Sequence, residues 1–321
     1  MILRILIFAC CSAIAFPAIA GEPLSIAISR SPLSLPLYVA KHEGYFAAEG
    51  VPVRFEEVVG GHRAMQALLD GKTDLATASE AVVMFSSFKR NDFVVLASFV
   101  NSKDDIKLIT RTRNGISKIS DLAGKNVGTI LGTASHYYLD TLLLLSGVDP
   151  DRVKIIGLQP EAMAQALQKG DVAAVAVWEP YPFQILSSTK DARVVPVQRF
   201  YLQTFNLIAS RKITGGARNQ DLVKLLRALD RAERFIAAEP KKAQAIMQAS
   251  LDLDRSYVDW VWTRYNYRLT LDQSLLSTLE SEARWARSQD HVKATNSPNY
   301  LDFIYAAPLR QVHPSAVGMT E

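Results

Sequence analysis

A turn of small residues leads into an apolar helical pattern in the middle of the chain, and this combination can bind an anion. The turn is Gly132-Thr133-Ala134-Ser135, and it is followed by His136. The first N–H groups of a helix have no partner within the helix, and the helix dipole places partial positive charge there. A sulfonate, phosphate or carboxylate could therefore bind at this turn without a lysine. An ordinary N-cap by Thr133 or Ser135 is the alternative that the turn alone leaves open.

Further turns that follow strand-like segments offer polar or aromatic groups to the same ligand. They contain Arg30 and Ser31, Gly61 and His62, Ser79 and Glu80, and Trp178 and Glu179. Arg30 could pair with an anion, although a solvated loop arginine is the other interpretation. Glu80 could cap the next helix or recognise an ammonium group. Trp178 could wall a pocket, whereas Glu179 also fits plain helix-start chemistry.

The sequence patterns that catalysis or metal binding would need are absent. His62 and His136 are isolated histidines without a second ligand or a serine at a telling spacing, and the carboxylates are scattered rather than paired. The sequence contains no HExxH, GxSxG or P-loop motif. Both cysteines, Cys10 and Cys11, lie in the N-terminal apolar segment. We therefore predict a binding protein with no catalytic residues, no metal ligands and no cofactor.

Composition and the N-terminus predict an exported globular protein. The 321 residues are 49% hydrophobic with a net charge of +4, which suits about two domains, and no basic tract indicates a nucleic-acid partner. Arg4 precedes an apolar run that ends in Ala18-Ile19-Ala20, a pattern typical of a cleavable signal peptide at residues 1–20. The run is too short to span a bilayer. A lipoprotein anchor at Cys10 or Cys11 is the alternative, and the residue spacing favours cleavage over it.

Strands and helices alternate over most of the chain, and the pattern starts again near residue 125. This order predicts an α/β fold with two lobes, each a mostly parallel sheet flanked by helices, and a cleft between the lobes. The predicted boundaries are 21–110 plus 206–321 for lobe I and 111–205 for lobe II, with crossings near Thr110–Arg113 and Thr204–Leu207. After residue 211 we predict only helices, which should pack on lobe I. Because ligands bind at the carboxyl ends of strands in such sheets, the turns described above should meet in the cleft.

Four stretches of the sequence resemble the periplasmic solute-binding proteins of ABC importers for aliphatic sulfonates, taurine and nitrate. They are PLYVAKHEGYFAAEGVPVRF, AMQALLDGKTDLATAS, ISDLAGKNVGTILGTASHYYL and AVWEPY, and the resemblance covers about residues 24–265. It implies a type II-like binding protein in the periplasm that closes on a small-molecule ligand and delivers it to a permease driven by an ATPase. In that family the elements matching Gly132–Ser135 and Ser79–Glu80 line the ligand site, and the one matching Trp178-Glu179 borders it. We expect a monomer.

One loop departs from the family pattern and leaves the ligand open. Sulfonate binders often carry small residues and proline where this chain has Ser79-Glu80-Ala81. The carboxylate would suit a zwitterion such as an aminosulfonate better than a plain alkanesulfonate. The alternatives are a binding protein for a neutral pyrimidine or flavin precursor, a sensor lobe, and an enzyme similar to thiamine-pyrimidine synthases. Those synthases carry a cysteine- and histidine-rich signature, which the region after the predicted signal peptide does not match.

Overall fold

The structure is a computed structural model that describes residues 22–319, so the predicted signal peptide at 1–20 lies outside the described residues. The strands are β1 (Leu24–Ser29), β2 (Val53–Val58), β3 (Leu75–Ser79), β4 (Phe93–Ser102), β5 (Ile106–Arg111), β6 (Asn126–Thr129), β7 (Lys154–Gly157), β8 (Ala174–Trp178), β9 (Ala192–Val194), β10 (Gln203–Ser210), β11 (Asn266–Asp272) and β12 (Val317–Gly318). The helices are α1 (Leu35–His42), α2 (Tyr45–Ala48), α3 (Gly61–Leu69), α4 (Glu80–Ser87), α5 (Ala134–Leu145), α6 (Met163–Lys169), α7 (Tyr181–Ser188), α8 (Gly216–Ala238), α9 (Pro240–Leu251), α10 (Arg255–Val261), α11 (Gln273–Ser288) and α12 (Ala307–Val312).

These elements form two α/β lobes, as predicted. The first sheet has the order β12-β11-β4-β10-β3-β1-β2, and the second has the order β7-β6-β8-β5-β9. Central strands such as β1 and β8 are buried nearly throughout because helices cover the faces of each sheet. Among the described residues, no helix combines the length and the apolar character that a membrane span requires.

Both sheets are mixed rather than mostly parallel. Strand β1 pairs in parallel with β2 and β3, and β6 pairs in parallel with β7 and β8. Strand β5 runs antiparallel to β8 and β9, and β10 runs antiparallel to β3 and β4. The reason is the chain path, because β5 and β10 are the strands by which the chain enters one lobe from the other.

The lobe boundaries differ from those predicted. Strand β4 belongs to the first sheet and β5 to the second, so the first crossing lies at residues 103–105 rather than near Thr110–Arg113. The second crossing occupies residues 195–202, before β10, rather than Thr204–Leu207. The sequence of an apolar strand does not show which sheet the strand joins. The prediction therefore places β5 in lobe I, whereas it belongs to the sheet of lobe II.

The C-terminal tail packs on the first lobe, as predicted, but it is not only helical. Leucines of α8, including Leu222, Leu226 and Leu229, are buried in the same core as β1, β3 and β4. Strands β11 and β12 extend the first sheet beyond β4, and Leu309 of α12 is buried in the core of the same lobe. The tail therefore completes the first lobe as part of its core.

Candidate functional site

A small cavity of about 20 Å³ lies between the lobes. It is lined by Ser29, Ser31, Leu33, Gly61, His62, Ser79, Val82, Gln203 and Phe205 of the first lobe and by Thr133, Ala134 and Trp178 of the second. The lobes are in contact beside it, where the rings of His62 and Trp178 lie 6.0 Å apart and Arg63 is ion-paired with Glu161 at 2.7 Å. A cavity of this size has room for about one water molecule, so the lobes are nearly closed on each other here.

The structure brings seven of the thirteen predicted binding residues to this cavity. They are Ser31, Gly61, His62, Ser79, Thr133, Ala134 and Trp178. Gly132 and His136 instead line a wider outer cleft of about 1090 Å³, which His62 also borders. Gly61 has to be glycine, because a Cβ atom there would lie 2.7 Å from the Cα atom of Ala78.

The start of α5 presents unpaired backbone donors at the cavity. Thr133 is the extended N-cap residue, and its hydroxyl donates to the carbonyl of Ile130 at 2.7 Å instead of capping the helix. The buried hydroxyl of Ser135 lies 3.0 Å from that of Thr133. Within the described part of the chain, the N–H groups of Ala134 and Ser135 have no acceptor. With the helix dipole behind them, these donors favour an anionic oxygen.

Three side chains around the cavity carry buried polar atoms without a hydrogen-bond partner. They are the hydroxyl of Ser31, both ring nitrogens of His62 and the side-chain carbonyl of Gln203. A buried polar atom left unpaired costs about 1–3 kcal/mol, so such atoms mark a place that a ligand or water fills. Burial lowers the pKa of His62, so its ring is neutral and offers one donor and one acceptor.

No lysine, arginine, aspartate or glutamate lines the cavity among residues 22–319. Glu80 lies behind the wall, where one carboxylate oxygen accepts from the N–H of Thr204 at 2.8 Å and from its hydroxyl at 3.0 Å. The other oxygen accepts from the hydroxyl of Tyr201. Burial raises the pKa of Glu80 to about 7. The carboxylate is therefore engaged with the protein and does not face the ligand space.

Glu179 and Arg30 are likewise engaged away from the cavity. One oxygen of Glu179 accepts from the indole N–H of Trp260 at 2.8 Å and is ion-paired with Lys107 at 3.0 Å. The guanidinium of Arg30 donates to the carbonyl of Leu251 at 3.0 Å and lies 3.5 Å from Glu57. The charged side chains that the sequence suggested for the site, Arg30 and Glu179, thus form contacts between the elements around the cavity and do not line it.

Sequence reasoning did not select Ser29, Leu33, Val82, Gln203 or Phe205. Gln203 and Phe205 are on β10, directly after the second crossing, and a strand that enters from the other lobe must pass the cleft. Gln203, the polar residue at the start of β10, was the signal in the sequence that could have indicated a contact with the cleft. The prediction did not include it because it put the second crossing near Thr204–Leu207, later in the chain.

The sequence matches one family and several curated proteins. The profile of the family described as NMT1/THI5 like matches residues 31–243. The chain is 28% identical over 187 residues to the taurine-binding periplasmic protein of Escherichia coli strain K12, covering 57% of this chain and 56% of that protein. It is 27% identical over 153 residues to the putative aliphatic sulfonates-binding protein of Bacillus subtilis strain 168, covering 46% and 45%. These matches span about half the length of the relatives.

Solved structures share the two-lobed fold over nearly the whole chain. The periplasmic aliphatic sulphonate binding protein SsuA of Escherichia coli has a TM-score of 0.74 at 18% identity, covering 88% of this chain and 92% of that one. The alkanesulfonate-binding protein SsuA of Xanthomonas axonopodis pv. citri, bound to MOPS, has a TM-score of 0.77 at 16% identity, covering 90% and 100%. The desulfurization enzyme DSZB has a TM-score of 0.66 at 15% identity, covering 91% and 99%. The predicted periplasmic-binding-protein fold is confirmed, and an enzyme shares it.

Proposed function

Because the chain belongs to the NMT1/THI5-like family, we propose that it is the periplasmic solute-binding component of an ABC importer. Its solute is a small anion or zwitterion of the sulfonate, taurine or nitrate class, held between the two lobes. The observation that carries this proposal is the interlobe cavity, where unpaired amides of α5 face unpaired polar side chains of the first lobe. Delivery to a permease driven by an ATPase belongs to the same proposal and rests on the family.

The donors around the cavity match the chemistry of a sulfonate headgroup, and the lobes would part to admit it because the closed cavity holds about one water molecule. The amides of Ala134 and Ser135, the hydroxyl of Ser31 and one ring N–H of His62 can supply hydrogen bonds to its three oxygens. The negative charge would be stabilised by the helix dipole and these donors rather than by a counter-ion. The ammonium group of an aminosulfonate would meet the carbonyl of Gln203 and the ring of Trp178, since Glu80 is engaged elsewhere.

The residues that line the interlobe cavity can bind a solute but lack the groups that catalysis would need. Proton transfer or covalent catalysis needs a nucleophile or a base whose partner orients it, and the ring nitrogens of His62 have no such partner. Cys10 and Cys11, the two cysteines of the chain, lie outside the described residues. The relatives that match the sequence are named as binding proteins, which supports the same interpretation.

Isothermal titration calorimetry of the purified protein tests the proposed function. The panel is taurine, ethanesulfonate, nitrate and a neutral aminopyrimidine. We expect one-to-one binding of at least one sulfonate with a dissociation constant in the micromolar range or below, and no heat from the pyrimidine. Binding of the pyrimidine alone, or of none of the anions, would contradict the proposal.

Ser31 and Ser34 offer a matched test of which hydroxyl serves the ligand. The hydroxyl of Ser31 has no protein partner, so Ser31→Ala should leave the free energy of unfolding unchanged or raise it. The same change should weaken binding of the sulfonate by about 1–2 kcal/mol, or roughly 5–30-fold. Calorimetry measures the affinity, and chemical denaturation measures the stability.

The control is Ser34→Ala, three residues along the chain. The buried hydroxyl of Ser34 donates to the carbonyl of Ser29 at 2.8 Å, so its loss should lower the stability by about 1–2 kcal/mol. If the Ser31 variant keeps full affinity for every anion of the panel, its hydroxyl is not a ligand contact.

A further inference from the structure

Two histidines and a buried carboxylate meet beside the ligand cavity, on the wall of the outer cleft. His136 and Asp140 lie one turn apart on α5 of the second lobe, and His291 follows α11 in the tail of the first lobe. The Nε2 atom of His291 lies 3.0 Å from Oδ2 of Asp140, and Nε2 of His136 lies 4.0 Å from the same oxygen. One ligand atom from each of the three side chains falls within a span of 4.8 Å.

The buried carboxylate of Asp140 lacks part of the hydrogen bonding and positive charge that burial usually requires. Asp140 is 1% exposed, and its Oδ1 atom has no hydrogen-bond partner. Its Oδ2 atom receives the indole N–H of Trp285 at 3.3 Å besides the contact with His291. Among the described residues, no lysine or arginine is ion-paired with it. Because an ionised carboxylate is costly to bury without a positive partner, this position favours a bound cation.

The donor set selects the kind of cation. Two imidazole nitrogens and one carboxylate oxygen are ligands of Zn²⁺ and its first-row neighbours, and three protein ligands leave a coordination position open. Bonds of about 2.0–2.2 Å in a tetrahedral site place neighbouring ligand atoms about 3.4 Å apart. The two separations from Oδ2 of Asp140, 3.0 and 4.0 Å, lie on either side of that value, and all three ligand atoms lie within 4.8 Å of one another, so the side chains would move closer together to complete the site.

The outer cleft gives an ion access to this position. Both His136 and His291 line the cleft, so the open coordination position can take a water molecule from it. Binding through Nε2 of His136 places that ring's proton on Nδ1. Nδ1 can then no longer accept a hydrogen bond from the N–H of Gly132. That bond is long, at 3.4 Å, so losing it costs little free energy.

We propose that His136, Asp140 and His291 bind one Zn²⁺ ion, and that the ion holds the two lobes in contact. The ligands come from both lobes, so an ion bound by all three stabilises the arrangement in which the lobes touch. The sequence predicted no metal ligands because it showed each histidine alone. His291 lies 151 residues from Asp140 along the chain.

The test is a titration of the purified, tag-free protein with zinc chloride after chelator treatment and dialysis. We expect one zinc per chain by calorimetry and by elemental analysis. His291→Ala should weaken the affinity at least 10-fold, and the visible bands of tetrahedral Co²⁺ bound in place of zinc should disappear. His42→Ala, which removes an exposed histidine of α1, is the control and should bind as the wild type does.

No saturable zinc binding by the wild-type protein would overturn the proposal, and so would equal affinity in the wild type and the His291→Ala variant. The side chain of His291 is 24% exposed, so this variant should fold, and far-UV circular dichroism checks that it does. No solute is added in the titration. The outcome is therefore independent of whether the proposed ligand class is correct.

Discussion

Replacing Lys107 by methionine should lower the free energy of unfolding by about 3–5 kcal/mol. The side chain of Lys107 is 5% exposed and that of Glu179 is fully buried, and the ammonium and carboxylate lie 3.0 Å apart. Methionine keeps the length and the apolar contacts of the lysine stem. It leaves the carboxylate of Glu179 buried without its cation, with the indole N–H of Trp260 as the remaining strong donor. Denaturant unfolding followed by circular dichroism measures the loss.

Two controls separate the buried pair from a general effect of losing a lysine. Lys72→Met removes a lysine that is 67% exposed and paired with Asp70 at the surface, and it should leave the stability nearly unchanged. The double variant Lys107→Met, Glu179→Gln removes both charges and should recover part of the stability, since the bond from Lys107 to the carbonyl of Asp104 at 2.6 Å stays lost. Equal stability of the Lys107 and Lys72 variants would refute the argument.

Glu282→Gln should become more stable than the wild type as the pH rises from about 5 to 8, because the wild type then loses the stabilising contribution of its buried carboxyl groups. Glu80 and Glu282 are both fully buried, and the hydroxyl of Tyr201 contacts both, at 3.4 Å for Glu282. Burial raises the pKa of Glu80 to about 7 and the pKa of Glu282 well above its ordinary range. The folded protein therefore holds these protons more tightly than the unfolded chain does.

The sign follows from this proton linkage. A carboxyl group whose pKa is raised by folding stabilises the fold fully below its unfolded pKa, which is near 4.5. That contribution is lost as the pH rises toward the folded pKa. At pH 8 the Glu282→Gln variant should be more stable than the wild type by about 1–3 kcal/mol, and the two should converge near pH 4.

Glu280→Gln is the matched control, because Glu280 lies two residues earlier on α11 and is exposed. Its unfolding free energy should follow the wild-type pH profile. Denaturant titrations at pH 4, 6 and 8 measure all three proteins. Parallel profiles for the Glu282 variant and the wild type would show that the buried pair does not titrate as argued.

Local chemistry could be predicted from the sequence, whereas long-range partners could not. The unpaired amides at the start of α5 depend on a few consecutive residues around Thr133, so the sequence pattern contains them. The roles of Glu80 and Glu179 depend on Tyr201 and Trp260, which are 121 and 81 residues away along the chain. A single sequence does not show which distant donor a carboxylate meets, and both glutamates were therefore assigned to the ligand.

Strand β11 illustrates the same limit at the level of secondary structure. The sequence around the start of β11 predicts a helix, because the aromatic residues of 260–267 recur at nearly helical spacing. Residues 266–272 form a strand because they pair with β4, and that edge of the first sheet becomes available only once the lobe has folded. The two-lobed architecture could be predicted because it depends on the repeated alternation of strands and helices, a pattern that each lobe carries within its own sequence.

For the proposed binding function, the two crossings would also determine how a solute enters. The crossing at residues 103–105 has only three residues, which reach at most about 10 Å when fully extended, so the lobes cannot slide far apart at that point. The crossing at 195–202 has eight residues and can therefore span a larger separation between the lobes. We therefore expect the lobes to part by rotating about a pivot at the short crossing. The first-lobe donors and the start of α5 must swing away from each other together, which exposes both halves of the site in one movement.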